Sequence, residues 1–213
     1  SSAWAENHSS DFWEVDSVEV RAVPDFGGVG ILVDNECDMS ATLAQPSDGG
    51  ISWDEIVNIG TKIWEIITDN KPVVHVETPV AHAMPKGLQC WNQLERWHAP
   101  RTQTYEVLYK NKLGMQVVLF KFRLQFTYGG SNRLGLGRYI ANATVKPGQL
   151  DVLWGYKFNA KLDVGQAVNL GTHDDPIAGL ELNLNWNVKT WVKESENSVQ
   201  FFINGNGDVE FAQ

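Results

Sequence analysis

From Leu150 to Val164 the chain alternates. Leu150, Val152, Trp154, Tyr156, Phe158, Ala160, Leu162 and Val164 fall on one side, and Asp151, Lys157, Asn159, Lys161 and Asp163 on the other. A period of two belongs to a strand with one buried face, because a helix would spread those side chains around its axis. The pattern recurs in GLELNLNWNVK, where Leu180, Leu182, Leu184, Trp186 and Val188 alternate with Glu181, Asn183, Asn185, Asn187 and Lys189. It recurs in VVLFKFRLQFTY, where Val118, Phe120, Phe122, Leu124, Phe126 and Tyr128 back onto Lys121, Arg123, Gln125 and Thr127. Strands this long, against a mean of about 5–6 residues, must twist, bulge or bend, with Gly155 and Gly165 as the expected bend points.

Tight-turn residues join these runs: KNKLG, Pro147-Gly148 and Asn204-Gly205-Asn206-Gly207. No strand–helix–strand rhythm appears, so the strands are expected to be antiparallel, each sheet with one solvated face. The expected fold class is all-β, a two-sheet β-sandwich of about ten strands. It would fill one domain over residues 11–213, behind a flexible segment 1–10.

One stretch reads differently. In SWDEIVNIGTKIWEIITDN, Ser52 to Asn70, the apolar side chains recur at helical spacing: Trp53, Ile56, Ile63, Trp64 and Ile67 share one face. Ser52 and Glu55 fit a capping box, and Ile51 with Ile56 a hydrophobic staple. The spacing predicts an amphipathic helix over 52–69, inserted in the sandwich. Its polar half carries four acids and one lysine, unlike the basic face of interfacial helices. Gly60 on the apolar half would admit close backbone approach. Packing on the sheet is thus the first expectation, and use as a membrane or partner helix the second.

Net charge of −9 with no Lys/Arg cluster argues against nucleic acid and anionic lipid as partners. No apolar run is long enough for a transmembrane helix. A start without Met suits a chain matured by signal removal as well as a trimmed one; the expected location is secreted or periplasmic. Cys37 and Cys90 are the candidates for a disulfide, which would contribute about 4 kcal/mol through loop closure; the alternative is two buried thiols. Asn7 and Asn142 begin glycosylation sequons.

Chemistry-bearing patterns are sparse. G-x-S-x-G, H-E-x-x-H and the P-loop are absent, and GGSNRLGLG reads as a loop. No catalytic residue is assigned. Asp34, Glu36 and Asp38 alternate in VDNECDMS and offer oxygens of the kind calcium takes; the competing reading is a solvated strand edge. His75, Glu77, His82 and His98 would make a metal-dependent hydrolase only if the fold gathered them. Asn204, Asn206 and Asp208 resemble the start of a calcium loop but read first as a turn.

Aromatic residues out of phase with the core are the stronger signal. Trp191 falls on the polar side of its strand with Asn183, Asn185 and Asn187, and Phe202 opposes the phase of Phe201 and Ile203. Aromatic faces beside amides suit sugar rings or choline-like cations. The expected function is a non-enzymatic binding protein acting at a cell or membrane surface, on a surface glycan or lipid and without a cofactor. Some pore-forming toxins pair a sandwich with an amphipathic helix, an analogy of architecture, so a membrane-active role is one form of that expectation. A carbohydrate-binding or adhesion module is the alternative.

Overall fold

The computed structural model describes residues 10–25, 32–34, 50–73 and 79–213. Residues 10–13 form one helical turn. Thirteen strands follow among the described residues: β1 (Val15–Val23), β2 (Ser52–Asn58), β3 (Ile63–Thr68), β4 (Lys71–Pro72), β5 (Ala81–Lys86), β6 (Arg101–Asn111), β7 (Gln116–Gly130), β8 (Tyr139–Val152), β9 (Lys157–Val164), β10 (Val168–Asn169), β11 (Ala178–Lys189), β12 (Glu194–Asn204) and β13 (Val209–Ala212). They build two packed sheets, ordered β1-β6-β7-β8-β5-β2 and β13-β12-β11-β9-β3-β4, with β10 beside β11. Each of these strand pairs is antiparallel. The fold is an all-β sandwich.

The alternating side chains meet between the sheets. Phe120 of β7 packs on Phe158 of β9 at 5.1 Å, and Tyr105 of β6 on Phe201 of β12 at 4.9 Å. Leu180, Leu182, Leu184 and Val188 of β11 are buried in the same core. The Tyr109 hydroxyl accepts hydrogen bonds from Trp186 Nε1 and Asn197 Nδ2, each at 2.7 Å, tying β6 to β11 and β12.

The helix expected over 52–69 is not there. Ser52–Asn58 and Ile63–Thr68 are strands of opposite sheets, joined by a corner at residues 59–62. Glu55 caps nothing and instead meets Lys86 of β5 at 2.8 Å. The helical look has a physical origin: β3 carries a bulge between Glu65 and Ile67, so the consecutive Ile66 and Ile67 are both buried. Ile56, Trp64 and Ile67 belong to the core, Trp53 is half-buried against it, and Ile63 is 65% exposed. Eight β-branched residues in the stretch favour strand over helix. Gly60 does mark a close approach, though of a different segment: a Cβ there would lie 2.3 Å from the Val80 carbonyl oxygen. Residues 52–70 therefore offer no helix for a membrane or a partner. No helix among the described residues is long and apolar enough to cross a membrane.

The outer face of the six-stranded sheet is not the solvated surface its polar residues suggested. Arg123, Gln125 and Asn142 are buried there and bind Asp25, Leu32 and Asp34. Arg123 pairs with Asp25 at 2.8 Å, Gln125 exchanges two hydrogen bonds with the Leu32 backbone, and Asn142 Oδ1 accepts from Asp34 N–H at 2.8 Å. Leu32 and Asp34 belong to no strand, and these side chains satisfy backbone groups that no ladder does. Asn142, 1% exposed, is no glycan acceptor; Asn7 lies outside the described residues.

Candidate functional site

The open face of the molecule is the outer side of the seven-stranded sheet and the strand ends beside it. Chain reversals set one of those ends. β6 turns into β7 at Lys112–Met115, β8 into β9 at Leu153–Tyr156, and β11 into β12 at Thr190–Lys193. Gly155, at φ +86°, makes the second of these possible, and it interrupts the alternation that began at Leu150. Trp154 is consequently 82% exposed at the turn instead of buried in a strand.

The N-terminal turn fastens the three reversals together. The Phe12 carbonyl accepts from Asn111 Nδ2 at 3.1 Å and from the Tyr156 hydroxyl. The Trp13 carbonyl accepts from Thr190 Oγ1 at 3.3 Å, and the Glu14 carbonyl from Lys112 N–H at 3.0 Å. Trp13 thereby lies between Trp154 and Trp191, with ring centroids at 5.9 and 6.3 Å and planes tilted by 56° and 74°. Trp191 is 77% exposed, and Leu113, Met115 and Val192 on the same turns are also exposed. Lys112, Lys189 and Lys193 sit on or beside these turns, with Lys112 paired to Glu14 and Lys189 to Glu194. The Lys112 ammonium, hydrogen-bonded to Glu14, holds that carboxyl below the usual carboxylate range.

Behind the aromatic tip runs a polar groove of about 790 Å³ across β3, β9, β11 and β12. From Trp191 the outward positions of β11 step through Lys189, Asn187, Asn185 and Asn183. Asn187 lies opposite Asn159 of β9 and Glu196 of β12. Asn185 donates to Asp163 Oδ2 at 2.7 Å, and Asn187 donates to Glu194 Oε1 at 3.0 Å. Asn183 donates to Glu181 at 2.6 Å, at the far end of the row. Glu65 and Asp69 close the side formed by β3.

The candidates from sequence divide accordingly. Trp191 belongs to the tip, and Asn185 and Asn187 to the groove. Phe202 does not join them: its ring lies over Gly179, where a Cβ would come within 2.7 Å of it, and it is half-buried. Asp34 Oδ2 lies 3.2 Å from Nε2 of the buried His82, while Glu36 and Asp38 lie outside the described residues. His82 Nδ1 accepts from Asn142 N–H at 3.3 Å, so both ring nitrogens have partners. His98 stacks on Tyr128 at 4.9 Å, and His75 and Glu77 lie outside the described residues. No group of three metal-ligating side chains converges among the described residues. Cys90 is a free buried thiol, contrary to the disulfide candidate, and Cys37 lies outside the described residues.

Trp13 and Trp154 were not legible as site residues. The Trp-Gly pair at 154–155 was the available signal, since a turn at Gly155 expels its neighbour from the core. No protein-family model, curated protein or solved structure matches this chain.

Proposed function

We propose that this chain is a non-enzymatic binding protein, secreted or periplasmic, that docks on a phospholipid membrane through its aromatic tip. The observation that carries the reading is the exposure of Trp154 and Trp191, on separate turns, around a Trp13 that is itself pinned. Tryptophan prefers the membrane–water boundary, where its ring is apolar and its N–H stays wet. The tilted planes make a wedge rather than a flat platform, which suits headgroups and upper acyl chains better than a crystalline polysaccharide. Lysines just behind the rings sit at the depth of lipid phosphates, and their pairing with Glu14 and Glu194 leaves the rim close to neutral on an otherwise acidic chain. That charge balance fits zwitterionic lipid.

Withdrawing about 150 Å² of each ring from water is worth about 4 kcal/mol before ordering costs. Loss of one tryptophan is therefore expected to weaken binding about tenfold or more. Co-sedimentation with phosphatidylcholine vesicles tests this. The chain should partition onto them, Trp154→Ala and Trp191→Ala should each bind less, and Leu134→Ala, at the opposite end of the strands, should bind as well as the unaltered chain. Equal binding by all four proteins, or none by any, would refute the reading.

A further inference from the structure

The groove behind the tip points to a ligand of its own. We infer that it holds the neutral oligosaccharide headgroup of a glycolipid whose lipid part meets the aromatic tip; this rests on the membrane-docking reading above. The two features are continuous. Asn187 is four residues up β11 from Trp191, about 13 Å at strand rise, and Asn185 about 20 Å. A headgroup standing away from the bilayer would reach them only with several rings in line, so a long headgroup is favoured over a single sugar.

The lining selects the chemistry. Its core residues, Ile67 and Trp186 among them, are turned inward and nearly fully buried, so the groove presents no aromatic or aliphatic platform. Its outward side chains are amides, carboxylates, one lysine and the hydroxyls of Thr68 and Ser198, a set of donors and acceptors that matches vicinal hydroxyls. Several are unclaimed: the side chains of Asp69, Glu196 and Ser198 make no hydrogen bond or ion pair among the described residues. Excess carboxylate disfavours sialylated or sulfated sugars, leaving neutral ones.

Joining a weak sugar contact to a membrane contact on one rigid molecule multiplies their strengths. Binding should therefore be compared on three vesicles: phosphatidylcholine alone, with lactosylceramide, and with a neutral tetrahexosylceramide. The gain over phosphatidylcholine should rise with headgroup length to about a hundredfold, and a sialylated ganglioside should give less. In Ser198→Trp, which fills the groove, the ratio of tetrahexosylceramide to phosphatidylcholine binding should fall towards unity. An equal gain in that variant, or no gain in the unaltered chain, would overturn the inference while leaving membrane docking intact. The free tetrasaccharide separates the two ideas from the other side. It should shift the side-chain amide resonances of Asn185 and Asn187 even if phosphatidylcholine binding fails, and unmoved resonances would overturn the groove assignment.

Discussion

The Tyr109 hydroxyl serves two donors from the opposite sheet and sits where water does not reach. Burial pushes its ionisation up to about 12, against the smaller opposing effect of the Trp186 and Asn197 hydrogen bonds. A folded value raised above the unfolded one, about 10, means the protonated phenol is the form the fold favours. Its contribution is complete below pH 10 and is lost as pH rises towards 12, so denaturation midpoints measured across that window should fall. Tyr109→Phe should flatten part of that fall and cost about 1–3 kcal/mol at neutral pH, because Trp186 Nε1 and Asn197 Nδ2 lose their acceptor. Single residues were unevenly legible. Trp191 announced its exposure by standing out of phase with the core of β11. Trp154 was in phase with the core and was expelled by a φ that only the folded Gly155 displays.

β3 is the element in which local pattern and fold disagreed. A bulge sends Ile66 and Ile67 to the same side, which puts the inward Ile67 three residues after the inward Trp64 and imitates the three-residue spacing of a helix. The imitation is local, while the pairing that resolves it, with β9 nearly a hundred residues away, is not readable from the stretch itself. Truncation scanning separates the two. Ile67→Ala should cost about 2–5 kcal/mol and Ile63→Ala less than about 0.5 kcal/mol in urea unfolding, although a helix would have buried both. Gly60→Ala should cost about 1–3 kcal/mol or more, since its Cβ would strike the Val80 carbonyl. By contrast β11 pairs with both neighbours without a register shift and its buried face was legible in the alternation, as were the buried faces of β7 and β9, although β7 pairs irregularly with β8 and β9 begins only after the turn at Gly155.

For the whole molecule, the sandwich followed from alternation and turn chemistry, while the covering of the six-stranded sheet at Asp25, Leu32 and Asp34 did not. Its signature, buried polar residues on a strand's outer face, is indistinguishable in sequence from a solvated face. The same surface carries the acid sensitivity. Burial pushes the Glu106 carboxyl up, but hydrogen bonds and charge from Arg21 and Lys121 outweigh it and hold Glu106 below its ordinary range. Asp25, hydrogen-bonded to Thr104 and then to Arg123, and Asp54, hydrogen-bonded to His173, are held down as well. Carboxylates depressed in the fold contribute stability above their unfolded values, near pH 4, and lose it as pH falls through the lower folded ones. Unfolding midpoints should accordingly hold steady down to about pH 4.5 and drop below it, less steeply in Glu106→Gln.

The tip assembles only when three chain reversals meet the N-terminal turn, so its role belongs to the molecule as a unit. Amide hydrogen exchange with and without phosphatidylcholine vesicles reads that role directly. Added vesicles should slow exchange at residues 112–115, 153–156 and 190–193 together and leave residues 131–137, at the far end, unchanged. Protection confined to residues 131–137, or absent from all three reversals, would contradict the account.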